Sequence, residues 1–113
     1  MSAPGSGPPP VPAGAVPMEA RATGPLVGFR IIDVTHFAAG PFAGLMLADL
    51  GADVIKVESP DGDFVRKVGP FHPDDTERVY GGRYAQRNRN KRSVCLDLTR
   101  PDDRELFLQL VET

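Results

Sequence analysis

The stretch RIIDVTHFAAGPFAGLMLADLGADVIKVE, Arg30 to Glu58, decides the fold. RIIDVT, Arg30 to Thr35, is short, rich in β-branched residues and nearly continuous in its apolar character, the pattern of a central parallel strand covered on both faces. HFAAG is the turn out of it. Pro41 suits the first turn of a helix, where its fixed φ and missing N–H do no harm, and Gly51 is placed to end that helix in the left-handed conformation. DVIKVE, Asp53 to Glu58, is a second strand, and a connection of this length between parallel strands predicts a right-handed βαβ crossover. The expected class is α/β.

The helix between Pro41 and Gly51 is unusual in being apolar all round. Phe42, Ala43, Leu45, Met46, Leu47, Ala48 and Leu50 point in every direction and only Asp49 is charged, so the helix must be covered on every side. The chain has 113 residues. Its first 25 hold seven of the twelve prolines and almost no bulky apolar side chain, a composition that cannot recover the entropy of ordering. Residues 1–24 are therefore read as a disordered tail and 25–113 as the folding unit. A domain that small buries roughly two thirds or less of its unfolded surface, enough for one modest core but not for a sealed helix.

Beyond Ser59 the sequence is punctuated by Pro60, Gly62, Gly69, Pro70, Pro73 and the Gly81-Gly82 pair, and so long a loop is usually functional or mobile. SVCLDL, Ser93 to Leu98, alternates Val94, Leu96 and Leu98 against polar neighbours and predicts a third strand. Thr99 is the expected N-cap of a final helix with Pro101, Asp102 and Asp103 in its first turn. Leu106, Phe107, Leu108, Leu110 and Val111 again exceed one face. Two over-apolar helices, and no Gly or Pro after the second, lead to the expectation that this chain is the beginning of a larger α/β protein, and that alone it neither packs well nor catalyses.

Several function classes recede on composition. No apolar run approaches the roughly 18 residues of a membrane span. The net charge of −2 exerts no global pull on nucleic acid or anionic membrane. Cys95 is the single cysteine, which excludes an internal disulfide and disfavours zinc. The tail has one arginine, no long apolar run and repeated helix-breaking prolines, so it is neither a secretory nor a mitochondrial address, and a cytoplasmic location is expected. Met18 offers a shorter alternative start.

Two places could bind a ligand. His36 and Phe37 stand where the first strand ends, and in open parallel sheets ligands lie at the carboxyl ends of the strands; the plain alternative for His36 is a turn residue whose imidazole bonds backbone. Gly40 and Gly44 lack the third glycine of a dinucleotide fingerprint and read as points of close helix–strand packing. The second place is RYAQRNRNKR, Arg83 to Arg92, five basic residues with Tyr80 and Tyr84 nearby. As a rule such a run is a solvated loop. Functionally it fits phosphates with a stacked base, in single-stranded RNA or in the nucleotide end of coenzyme A. The acids around it, Asp74, Asp75, Glu77, Asp102 and Asp103, argue against a broad nucleic-acid surface.

GFRIIDVTHFAAGPFAGLMLADLGADVIKVESPDGD, followed by NRNKRSVCLDL, closely resembles the N-terminus of the family III CoA-transferases, the CaiB/BaiF family, which includes formyl-CoA and carnitine-type CoA-transferases and α-methylacyl-CoA racemases. The resemblance runs from about Pro25 to Thr113. It implies the Rossmann-like start of a larger domain, incomplete in this chain, within an interlocked homodimer when full length. It implies an acyl-CoA and a carboxylic acid as substrates, with CoA transferred through an aspartyl intermediate and no tightly bound cofactor or metal. By the same resemblance His36, Phe37 and Ala38 line the CoA site, and Lys91, Arg92 and Leu96 approach its adenosine and phosphate end. No aspartate here matches the family's nucleophile, so no catalytic residue is assigned. Where some members have an arginine after the KVE strand, this sequence has Ser59. The alternatives left open are a racemase-type member, a non-catalytic CoA- or nucleotide-binding module, and a βαβ interaction domain that pairs with a separate chain supplying the rest.

Overall fold

Alternation of β-branched and polar residues gives three strands, and the computed structural model, which describes residues 22–113, aligns all three in parallel in the order β1-β2-β3. They are β1 (Arg30–Asp33), β2 (Asp53–Glu58) and β3 (Lys91–Cys95). Helix α1 (Ala39–Asp49) connects β1 to β2. Between β2 and β3 lie a 3-10 turn, Phe64–Lys67, and helix α2 (Gly82–Asn88), and α3 (Pro101–Glu112) follows β3. The tail expectation, apart from residues 22–24, lies outside the described residues.

The register pairs Ile31 with Val54, Asp33 with Lys56, Val54 with Lys91 and Lys56 with Ser93. Because side chains alternate along a strand, this lines Ile31, Asp33, Val54, Lys56, Glu58, Lys91 and Ser93 along one face. The first part of that face is apolar, and Val54 packs with Ala48 and Ala52 and with the partly buried Leu26, Ile31 and Leu47. Its remainder carries the charges of Asp33, Lys56, Glu58 and Lys91, whose side chains are nonetheless buried.

Helix α1 ends as its sequence marks it, on Gly51 at φ +102, with the Gly51 N–H donating to the Ala48 carbonyl at 3.0 Å. Its inner side is Pro41, Gly44, Leu45 and Ala48. A β-carbon on Gly44 would lie 2.9 Å from Asp33 Oδ2 and 3.2 Å from Lys91 Nζ, and one on Gly40 would collide with the Thr35 side chain. Both glycines serve close helix–strand packing. On the opposite side Phe42 and Met46 are 55% and 54% exposed, and Leu106, Leu108 and Val111 of α3 are exposed as well.

Three expectations need correction. Among the described residues β1 pairs with β2 alone and is only partly buried, and the middle strand is β2. Ile31 and Ile32 of β1 face opposite sides of the sheet. The third strand runs Lys91–Cys95 rather than Ser93–Leu98, since its extent is set by what β2 can pair, Val54 through Glu58. Thr99 does not cap α3. Its N–H and hydroxyl bond Asp97 Oδ1 at 3.0 and 2.6 Å in a tight turn, and Arg100 takes the N-cap position without a side-chain bond.

Candidate functional site

The carboxyl ends of the strands gather a set of buried charges that no simple pattern announces. Lys56 and Asp63 form an ion pair at 3.1 Å with both side chains 0% exposed. The Lys56 ammonium also donates to the Thr35 carbonyl at 2.8 Å. Asp63 Oδ1 accepts from the Val65 N–H at 3.1 Å, capping the 3-10 turn, and the two Asp63 oxygens share the Phe37 N–H at 3.3 and 3.4 Å. Phe37 sits at φ +72, a left-handed conformation that costs a bulky residue about 1–3 kcal/mol and persists only where its surroundings impose it. Its ring stacks on Phe64 with centroids 5.3 Å apart, and both rings are exposed.

A second group adjoins the first. Glu58 accepts both Arg66 Nε and Nη2 at 2.7 Å and the Tyr84 hydroxyl at 2.6 Å, and it takes the Asp63 N–H at 2.9 Å. Burial works against its charge, but these bonds, Arg66 foremost, outweigh it and hold the carboxyl down at about 2. The Tyr84 hydroxyl moves the other way, raised by burial and by the Glu58 carboxylate it serves. Arg66 lies over the Tyr84 ring at 3.8 Å. Beside this group opens a cleft of about 340 Å³ lined by Ser59, Arg66, Lys67, Tyr80, Ser93 and Cys95.

The six residues marked by the sequence do not share one place. His36, Phe37 and Ala38 form the turn after β1, with His36 and Phe37 exposed and Ala38 half-buried. Leu96, just past β3, is at the same end but buried, its N–H bonded to the Glu58 carbonyl at 2.9 Å. Lys91 starts β3 at the other end, and its side chain runs beneath α1 to Asp33, the pair 2% and 3% exposed. Its ammonium donates to Asp33 Oδ2 at 2.8 Å, the Pro41 carbonyl at 2.8 Å and Asn88 Oδ1 at 2.9 Å. Burial disfavours both charges. On Asp33 the Lys91 and Thr35 bonds prevail and the carboxyl stays below its ordinary value, while on Lys91 burial prevails and draws the ammonium down. Arg92 also lies at the amino end and holds Asp53 with Nε at 2.9 Å and Nη2 at 2.6 Å, a carboxylate that Arg30 grips from the other side at 3.0 Å. Arg83 to Asn88, read as loop, are helical in α2.

The sequence reading missed the Lys56, Asp63, Glu58, Arg66 and Tyr84 network. One signal was present: Lys56 and Glu58 share a strand face with Val54, and a face that is apolar at one end and charged at the other requires buried counter-charges. Among the described residues no group of three or more His, Cys, Asp or Glu side chains is placed to hold a metal ion, and no helix is long and apolar enough to cross a membrane.

The sequence model of CoA-transferase family III matches residues 26–113. The chain is 51% identical over 89 residues to the succinyl-CoA:mesaconate CoA-transferase of Haloarcula hispanica, covering 79% of this chain and 22% of that protein. It is 47% identical over 92 residues to the succinate–glutarate CoA-transferase of Agrobacterium fabrum, covering 79% and 23%. A CaiB/BaiF family protein from Brucella suis of known structure superposes with a TM-score of 0.71 at 42% identity, over 78% of this chain and 23% of that one. The chain thus spans less than a quarter of the length of these relatives.

Proposed function

This chain belongs to CoA-transferase family III, and on that premise we propose that it forms a side wall of an acyl-CoA site in an enzyme that moves CoA from an acyl-CoA to a carboxylic acid. The observation that supports this most is the turn at the carboxyl end of β1, its His36 and Phe37 exposed and Phe37 left-handed, at the same end of the sheet as the cleft that opens past Glu58 and Cys95. Ligands of open parallel sheets lie there. In this reading the turn and the Phe37–Phe64 stack face the thioester end of the substrate, and the cleft lined by Ser59, Lys67, Tyr80 and Cys95 receives its nucleotide. Lys67, exposed at the cleft, supplies a cation for phosphate where Ser59 cannot, and the exposed Tyr80 ring offers a stacking face. Lys91 and Arg92 are assigned to holding the sheet, because their charges already have partners within the chain.

The transfer requires a nucleophilic carboxylate placed against the thioester. Asp33, Asp49, Asp53 and Asp63 are each engaged by a Lys or Arg, Asp97 bonds Thr99, and a Glu58 carboxyl held at about 2 is a poor base. By the family resemblance, which matches no aspartate of this chain to the nucleophile, we place the nucleophile outside this chain's described residues and the wall within them. Calorimetric titration with acetyl-CoA tests the proposal. Binding that weakens with added salt and on Lys67→Ala is expected; no binding, or binding indifferent to both, would overturn it.

A further inference from the structure

Two peptide groups flank His36, the Thr35 carbonyl before it and the Phe37 N–H after it, and one buried ion pair holds both. Lys56 Nζ donates to the Thr35 carbonyl at 2.8 Å, and Asp63 accepts the Phe37 N–H at 3.3 Å. The pair is closed to solvent on both sides, while His36 itself is exposed and makes no side-chain hydrogen bond among the described residues. A buried ion pair is weak evidence for stability, since an apolar pair of similar volume often serves as well or better. What an apolar pair cannot do is take a carbonyl with one partner and an N–H with the other. Phe37 in the left-handed region is the kind of strained residue that persists where its surroundings over-determine it. The same carboxylate caps the 3-10 turn through Val65, whose neighbour Phe64 stacks on Phe37, so both rings of the aromatic platform are tied to one side chain.

We propose that Lys56 and Asp63 are positioning residues that lock the Thr35–Phe37 turn and so fix His36 and the Phe37–Phe64 platform against the acyl-CoA. The assignment of a ligand rests on the reading given under Proposed function; the locking of the turn does not. Lys56 and Asp63 touch no substrate in this arrangement and act only through the turn.

Hydrogen exchange resolved to single residues, together with acetyl-CoA titration of the whole chain, tests it. In Asp63→Ala the Phe37 amide should exchange at least about tenfold faster while Ile55, in the middle of β2, keeps its rate, and acetyl-CoA affinity should fall by about tenfold or more. Because Asp63→Ala strands a buried lysine, the double variant Lys56→Met/Asp63→Leu, which removes both charges at similar volume, is measured alongside and should show the same local loosening. An unchanged Phe37 rate in the double variant overturns the lock. A Phe37 rate that rises only in step with Ile55 also overturns it, since the pair would then serve the whole fold rather than the turn. Loosening at Phe37 with unaltered acetyl-CoA affinity overturns the link to the ligand. Failure of the unaltered chain to bind acetyl-CoA at all overturns the wall reading and leaves the lock decided by exchange alone.

Discussion

Lys91 is the residue on which the sequence-based and structural readings part most sharply, and its removal separates them. As a phosphate contact facing solvent it would contribute little to folding, about 0–1 kcal/mol for an exposed charge. Within the fold its ammonium has three acceptors, Asp33 Oδ2, the Pro41 carbonyl and Asn88 Oδ1, at 2.8–2.9 Å under the Gly44 stretch of α1. Lys91→Met keeps the stem and deletes the charge, leaving a carboxylate 3% exposed without its cation. Breaking a buried pair from one side costs roughly 3–5 kcal/mol. Asp33 retains the Thr35 N–H at 2.9 Å and the Thr35 hydroxyl, which places the expected loss at the low end, about 3 kcal/mol. With a urea slope of about 1 kcal/mol/M for a domain this small, the unfolding midpoint should drop by about 3 M. Asp33→Asn in the same chain should recover much of the loss, since no buried charge is then left unpaired. A midpoint shift under about 1 M in Lys91→Met would refute the buried-pair account and return Lys91 to the ligand.

Further outcomes follow from the same geometry. Glu58 has its carboxyl depressed from 4.5 to about 2, so its contribution, roughly 3 kcal/mol, is fully present above pH 4.5 and is lost as pH falls toward 2; acid titration of stability should flatten in that window in Glu58→Gln, and an unaltered slope would contradict it. Arg92→Ala should leave acetyl-CoA affinity unchanged and cost under about 1 kcal/mol in denaturant unfolding, because its pair with Asp53 is 42% exposed; a tenfold drop in affinity would place Arg92 in the ligand site. Gly44→Ala should destabilise by about 1–3 kcal/mol in urea unfolding despite alanine's better helix propensity, the added carbon meeting Asp33 and Lys91 at 2.9 and 3.2 Å; a stabilised variant would show the helix free to lift. The exposed Phe42, Met46, Leu106 and Val111 should make the isolated chain bind an apolar dye such as ANS or self-associate as concentration rises; a monomer that does neither would show these faces to be smaller than the side chains indicate.

The parallel architecture was legible because backbone chemistry punctuates it. Pro41 lies in the first turn of α1 and Gly51 just past its end, and DVIKVE is β2 to the residue. The end of β3 was less so, since it is set by the reach of a partner strand, a long-range fact invisible to local alternation. Strand direction pointed to the turn at His36, and the family resemblance alone assigned it to CoA. The turn's support was not legible: Asp63 and Arg66 look like residues of a polar loop, and only the fold carries that loop back across the ends of β1 and β2 to meet Lys56 and Glu58. Lys91 and Arg92 were assigned to the nucleotide end of CoA by family resemblance, and local sequence gives no sign of the partners they have in the fold, Asp33 beneath α1 for Lys91 and Asp53 for Arg92.

The central claim, that the carboxyl end of this sheet walls an acyl-CoA site, is tested most directly by mapping where acetyl-CoA slows hydrogen exchange along the chain. Slowing should fall on His36 to Ala38, on Phe64 to Lys67 and on the cleft residues Tyr80 and Cys95, with none around Arg30, Asp53 and Arg92. Slowing centred on Arg30, Asp53 and Arg92 at the amino end would contradict the account.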